Sequence, residues 1–118
     1  GPQHGFRYVV DSNVDWGQDV KRLAQWTDSM GIQKIHLDYF GWADQNYYLK
    51  EKLVWIGSER YRSKADFLRE NPNGGYIAVS ATFYMGLSLQ PGRDYNWLPL
   101  EERIASIGNS IFVWHILP

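Results

Sequence analysis

A change of hydrophobic period within the opening third of the chain constrains its fold more than any other feature. Phe6 to Val10 is a short apolar and aromatic run suited to a strand, and it ends in Asp11-Ser12-Asn13, residues that favour turns and caps. From Gln18 the period changes. Val20, Leu23, Ala24, Thr27 and Met30 recur at helical spacing, while Asp19, Lys21, Arg22, Gln25 and Asp28 fall mainly on other faces. Asp15 followed by Gln18 makes a capping-box pattern, in which each side chain can take up the other's free backbone N–H. Gly31 suits the left-handed position after the last turn. Lys34 to Tyr39 then alternates, with Ile35, Leu37 and Tyr39 on one face, which predicts a strand with its other face wetter. Strand, capped helix and strand in this order make a βαβ unit, which is parallel and right-handed in nearly all cases.

The rest of the chain continues in the same alternating style. Ala43 to Leu49 suits a short helix, Leu53 to Ile56 a short strand or loop, and Ser63 to Glu70 a helical turn or two. Asn71-Pro72-Asn73-Gly74-Gly75 is the strongest breaker. Tyr76 to Phe83 is nearly continuous β-type sequence, as expected for a strand covered on both faces. Met85 to Asp94 reads as a loop, Tyr95 to Leu98 as a short helix, Pro99 to Ile107 as a connector and Ser110 to Leu117 as a closing strand. The expected fold class is α/β: a compact two- or three-layer sandwich with a mostly parallel sheet of about four strands. Its start is Rossmann-like, and its last strand is free to run antiparallel. Residues 1–5 look like a protease-cleavage scar with a disordered start, and 6–118 form one domain.

Composition sets the outer limits. A chain of 118 residues fits a single domain, and 44% hydrophobic with 21% charged residues is ordinary for a globular one. A net charge of -1 leaves no basic footprint for a nucleic acid, which is not expected as a partner. No apolar run approaches the roughly 20 residues that span a bilayer. The chain has no cysteine, which removes disulfides, thiolate metal sites and a Cys nucleophile. Six Trp, eight Tyr and five Phe raise the aromatic share to 16%, enough to serve a core, a sugar-stacking surface or both.

The densest polar cluster, Asp11 to Asp19, lies between the first predicted strand and the helix. This is the carboxyl end of a strand, where ligands bind in open α/β sheets. It carries no GxGxxG or GxxxxGK[ST], and its carboxylates would repel phosphate, so no dinucleotide cofactor is expected. Asp11, Asn13 and Asp15 alternate like the opening of a calcium loop, but Trp16 stands at the required glycine and Arg22 at the bidentate glutamate. No metal site is therefore assigned. Helix capping accounts for Asp15, Gln18 and Asp19 but leaves Asp11, Asn13 and Trp16 over. Carboxylates and an amide beside an indole suit sugar hydroxyls and the C–H face of a pyranose; they suit docking to a neighbouring domain equally well. Tyr39, Trp42 and Asp44, with Tyr47 and Tyr48 beyond them, follow the second predicted strand and should share that end of the sheet. Ser12, Ser80 and Ser110 lack a nucleophile-elbow context, and His4, His36 and His115 lack paired-ligand spacing. His36 and His115 fall in predicted strands as solvent-facing or hydrogen-bonded structural residues. No catalytic residue is assigned.

One family carries these pieces in the same order. Asp11 to Asp19 (DSNVDWGQD), Ile35 to Asp44 (IHLDYFGWAD) with Tyr47-Tyr48, Gly75 to Ser80 (GYIAVS), Trp97-Leu98, and Ile107 to Trp114 (IGNSIFVW) resemble a recurring domain. It is the soluble C-terminal domain of prokaryotic integral-membrane glycosyltransferases of the protein O-mannosyltransferase and lipid-A aminoarabinose-transferase type. Their pattern reads roughly DSNLDWGQDL, YFGxADPxYY, GxYAIS and GYSIFVY. Gln45 stands where the family often has Pro and Asn109 where Tyr is common, and residues 50–73 have no counterpart, departures that bear on loop geometry.

The resemblance implies a domain on the extracytoplasmic side of the cell membrane, attached to a membrane-embedded portion of the same polypeptide. That portion takes sugar from a polyprenyl-phosphate carrier and holds the catalytic acid, so the fragment alone would be non-catalytic. It would help to bind or position sugar or acceptor, with Asp11, Asn13, Asp15, Trp16, Asp19, Tyr39, Trp42 and Asp44 as polar and stacking contacts. The competing expectation is a protein–protein docking module that touches no sugar.

Overall fold

The computed structural model describes residues 18–41, 44–57, 60–86 and 95–118. The predicted strand at 6–10, the capping residue Asp15 and most of the loop at 85–94 lie outside them. Helix α1 (Gln18–Ser29) buries Val20, Leu23 and Thr27, a stripe at helical spacing, and Asp19 in its first turn complements the helix dipole. It ends as expected at Gly31, whose φ of 70° is the left-handed conformation that glycine adopts without strain. Ile32 N–H donates to Thr27 O at 2.9 Å and Gly31 N–H to Asp28 O at 3.2 Å, the paired bonds of a Schellman cap.

Strand β1 (Ile35–Asp38) follows, then helix α2 (Gln45–Leu49), a 3-10 turn at Lys50–Lys52 and strand β2 (Leu53–Trp55). Helix α3 (Lys64–Glu70) starts on Ser63, whose hydroxyl accepts from Asp66 N–H. Strand β3 (Gly75–Ser80) runs directly into helix α4 (Ala81–Tyr84). The predicted strand over 76–83 is therefore cut at Ser80. Its hydroxyl accepts from Phe40 N–H at 2.7 Å, and Ala81 N–H donates to Ser110 O at 2.7 Å, so both neighbouring chains redirect the backbone there. A turn at 95–98 stands where a short helix was expected, and a 3-10 turn at Leu100–Glu102 leads to strands β4 (Ala105–Ile107) and β5 (Ile111–Ile116).

The described strands form one five-stranded sheet in the order β2-β1-β3-β5-β4. β2, β1 and β3 are parallel, whereas β5 pairs antiparallel with both β3 and β4. The sheet is thus mixed rather than mostly parallel, and its last strand is antiparallel. The cause is local: Ile107 pairs with Ile111 across a turn too short for any crossover, with Gly108 at φ 58°.

Helices cover both faces. α1 and α2 lie with Ile35, Leu37, Ala78, Ile111 and Val113 on one side. α3, α4 and the segment from Tyr95 to Leu100 pack with Ile77, Val79, Phe112 and Trp114 on the other. Because β1 is interior to the sheet, neither of its faces is wet: His36 and Asp38 are as buried as their apolar neighbours.

Candidate functional site

The carboxyl ends of β1 and β3, with the β4–β5 turn beside them, gather three of the residues singled out in the sequence. Asp19 is buried at the start of α1. It accepts from the Ser110 hydroxyl at 2.5 Å and pairs with Arg22 at 2.7 Å. Its carboxylate presses against Gly108, where an added Cβ would collide with it. The side chain thereby fastens the helix to the β4–β5 turn. Tyr39 is also buried, and its ring folds back so that its hydroxyl covers the place a side chain at Gly41 would occupy. Asp44 is exposed and caps α2, accepting from Asn46 N–H at 3.0 Å and Tyr47 N–H at 3.3 Å.

The structure thus gives Asp19, Tyr39 and Asp44 internal work at one end of the sheet. Asp11, Asn13, Asp15, Trp16 and Trp42 lie outside the described residues.

Two further residues at this end escaped the sequence reading. Asp38, the last residue of β1, is buried and accepts from the Tyr95 hydroxyl at 2.5 Å. Tyr95 comes from a distant segment, so no local pattern announces the pair. Around these buried bonds lies an apolar rim. Phe40 is 45% exposed, with its ring edge on Phe83; Tyr47 is 69% exposed, edge-on to Tyr48; Trp55 closes β2 at 60% exposure. A rim of rings that water still reaches is the kind of surface that partners cover.

The opposite, amino-terminal end of the sheet is built differently. The α1–β1 turn and the α3–β3 turn stand apart there and enclose an open cleft of about 420 Å³, with Lys34, His36, Glu70, Asn71, Asn73 and Tyr76 in its walls. His36 points its Nδ1 at Tyr76 O, 3.0 Å away; a carbonyl only accepts, so Nδ1 carries the proton. Burial holds the His36 pKa below 6.5 against the opposing effect of that bond, which keeps the ring neutral. Phe67 and Tyr61 meet the ring edge-on at 4.9 and 6.1 Å. Glu70 accepts from Arg60 at 2.9 Å and from the Tyr61 hydroxyl at 3.1 Å, and the Arg60 bond keeps its carboxyl below the usual range. Burial raises the Tyr61 phenol.

Among the described residues no cluster of three His, Cys, Asp or Glu side chains is placed to hold a metal, and no helix is long and apolar enough to cross a membrane. Comparison with known proteins finds no matching family model, no matching curated protein and no matching solved structure.

Proposed function

We propose that this chain is the soluble extracytoplasmic domain of a polyprenyl-phosphate-sugar-dependent membrane glycosyltransferase. In this reading it is non-catalytic alone and helps to bind or position the sugar or the acceptor. One observation carries the proposal: the DSNVDWGQD segment, followed in order by IHLDYFGWAD, GYIAVS and IGNSIFVW. The fold supports it to the extent that the segment from Tyr39 to Asp44 leaves the carboxyl end of a parallel strand, the end at which α/β sheets take ligands. The exposed rings of Phe40, Tyr47 and Trp55 supply stacking surfaces beside it.

The test is a titration of the isotopically labelled chain with mono- and oligosaccharides at millimolar concentration, followed by backbone amide and indole NMR signals. Localised shifts at the Trp16 indole and from Tyr39 to Asp44 are expected. Silence at those positions removes the sugar-binding role.

A second reading has its own support. Asp19 is tied up within the fold, and the rings of Phe40, Tyr47 and Trp55 stand exposed at this end beside the exposed cap Asp44. Such a rim fits docking onto the membrane-embedded portion of the same polypeptide with no sugar involved. Serine at Tyr47 and Trp55 would then weaken association of the two portions, expressed as separate chains, while leaving the sugar titration silent.

A further inference from the structure

We propose that the cleft at the amino-terminal end of the sheet is a binding site for a neutral, hydroxyl-rich ligand, a pyranose unit or a short run of them. The proposal is separate from the function proposed above, whose residues lie at the other end of the same strands. The volume of about 420 Å³ is in the range of small-molecule sites and leaves room for more than a few waters.

The chemistry of the walls narrows the occupant. An anion is disfavoured because Lys34 faces a cleft that also holds the Glu70 carboxylate, and Arg60 is already committed to Glu70. A divalent cation is disfavoured because the described residues hold no group of three ligating side chains. An apolar ligand would strand the exposed side-chain amides of Gln33 and Asn73 in the lining, whereas the Asn71 amide already donates to Phe67 O at 3.0 Å.

Hydroxyl groups, which donate and accept at once, suit that lining. Asn73 offers an amide donor and an acceptor from an exposed position. The bonds from Arg60 and Tyr61 both fall on Glu70 Oε1, so Oε2 retains its acceptor capacity. Lys34 adds an ammonium donor. Tyr76 supplies the apolar wall. Its ring lies parallel to that of His115, 4.1 Å away and 10° from coplanar, which holds it as a fixed surface. A fixed ring loses little rotamer freedom when a sugar C–H face settles against it.

The cleft is also shaped by two glycines. Gly74 has φ 83° and abuts Ile116 O, and a Cβ at Gly75 would sit 3.3 Å from the Phe67 ring. Both glycines let the α3–β3 turn close over the core and leave the cleft open in front of it.

The test uses the whole labelled chain, with methyl α-mannopyranoside, methyl β-glucopyranoside and maltose as probes, each taken to tens of millimolar, and inorganic phosphate in parallel. The expected result is saturable amide shifts at Gln33, Lys34 and Asn71 to Tyr76 with at least one sugar. Asn73→Ala, at an exposed turn position, should weaken that sugar about fivefold, the loss of one hydrogen bond, with the spectrum elsewhere unchanged. Three results overturn the proposal: no shift with any sugar, a stronger response of the same amides to phosphate, or shifts confined to Tyr39 to Tyr48. The last would support the proposed function while removing this site, and cleft shifts without any at Tyr39 to Asp44 would do the reverse.

Discussion

The two ends of the sheet both bond their polar side chains internally, but only the amino end leaves them bordering an open cleft. At the carboxyl end every described carboxylate is turned to construction: Asp38 holds Tyr95, Asp19 holds the β4–β5 turn, and Asp44 holds the start of α2. At the amino end His36, Glu70 and Asn71 are bonded within the fold as well, to Tyr76 O, to Arg60 and Tyr61, and to Phe67 O, but they border an open cleft. A run of acidic residues at the expected end of a strand is therefore weak evidence for a ligand, because the same groups are needed where helices and turns must be tied down. An open boundary between two turns is better evidence, and neither turn advertises it alone.

Four measurements can break or sharpen that contrast. The largest effect is expected from Phe67→Ala, which removes a fully buried ring from between His36, Tyr61 and Trp97; about 3–5 kcal/mol should be lost in urea unfolding. If the variant loses much less, the wall of the cleft is not the rigid structure described. Tyr95→Phe should cost about 1–3 kcal/mol by withdrawing a hydroxyl from a buried carboxylate. A neutral result there would mean the carboxyl end is not held by its internal bonds, and Asp38 would become a candidate contact for a ligand.

The third measurement concerns pH. His36 has its pKa lowered by burial, so the unfolded chain binds the proton more readily than the folded one. Its contribution to stability is complete above about pH 6.5, the unfolded value, and is lost as pH falls below that toward the folded value. Thermal melts should show Tm falling across that window, and His36→Gln should flatten the fall. The smallest effect belongs to Asp44→Ala, which removes the cap of a short exposed helix at a cost of about 1 kcal/mol, read by denaturant midpoint. A much larger loss would show that Asp44 does more than cap.

Much of the scaffold was legible beforehand because local and tertiary demands agree. In α1 the stripe of Val20, Leu23 and Thr27 and the glycine at 31 specify the same helix that packing requires. The segments that differ are those in which distant residues decide. His36 and Asp38 alternate like a wet face, yet helices from later in the chain cover them. Ala81 to Tyr84 has strand-like composition but turns helical because Ser80 and Ala81 bond to Phe40 and Ser110. β4 was missed for its brevity, although Gly108-Asn109 between two β-type runs was a usable hairpin signal.

The candidate site divides along the same line. That Tyr39 and Asp44 share an end with the start of α1 followed from the parallel arrangement. The Asp38–Tyr95 bond and the cleft did not, since each joins segments that the sequence keeps far apart.

The position of β5 has a consequence for how the molecule is made. The last strand described is not at a margin of the sheet but between β3 and β4, and Ser110 at its head is also the partner of Asp19. During translation β3 emerges with one side bare and keeps it so until Ile111 to Ile116 has left the ribosome, while α1 waits as long for its anchor. Assembly of this sheet must then wait for β5 rather than proceed step by step, and a nascent chain stalled before β5 would present an adhesive apolar margin to its neighbours.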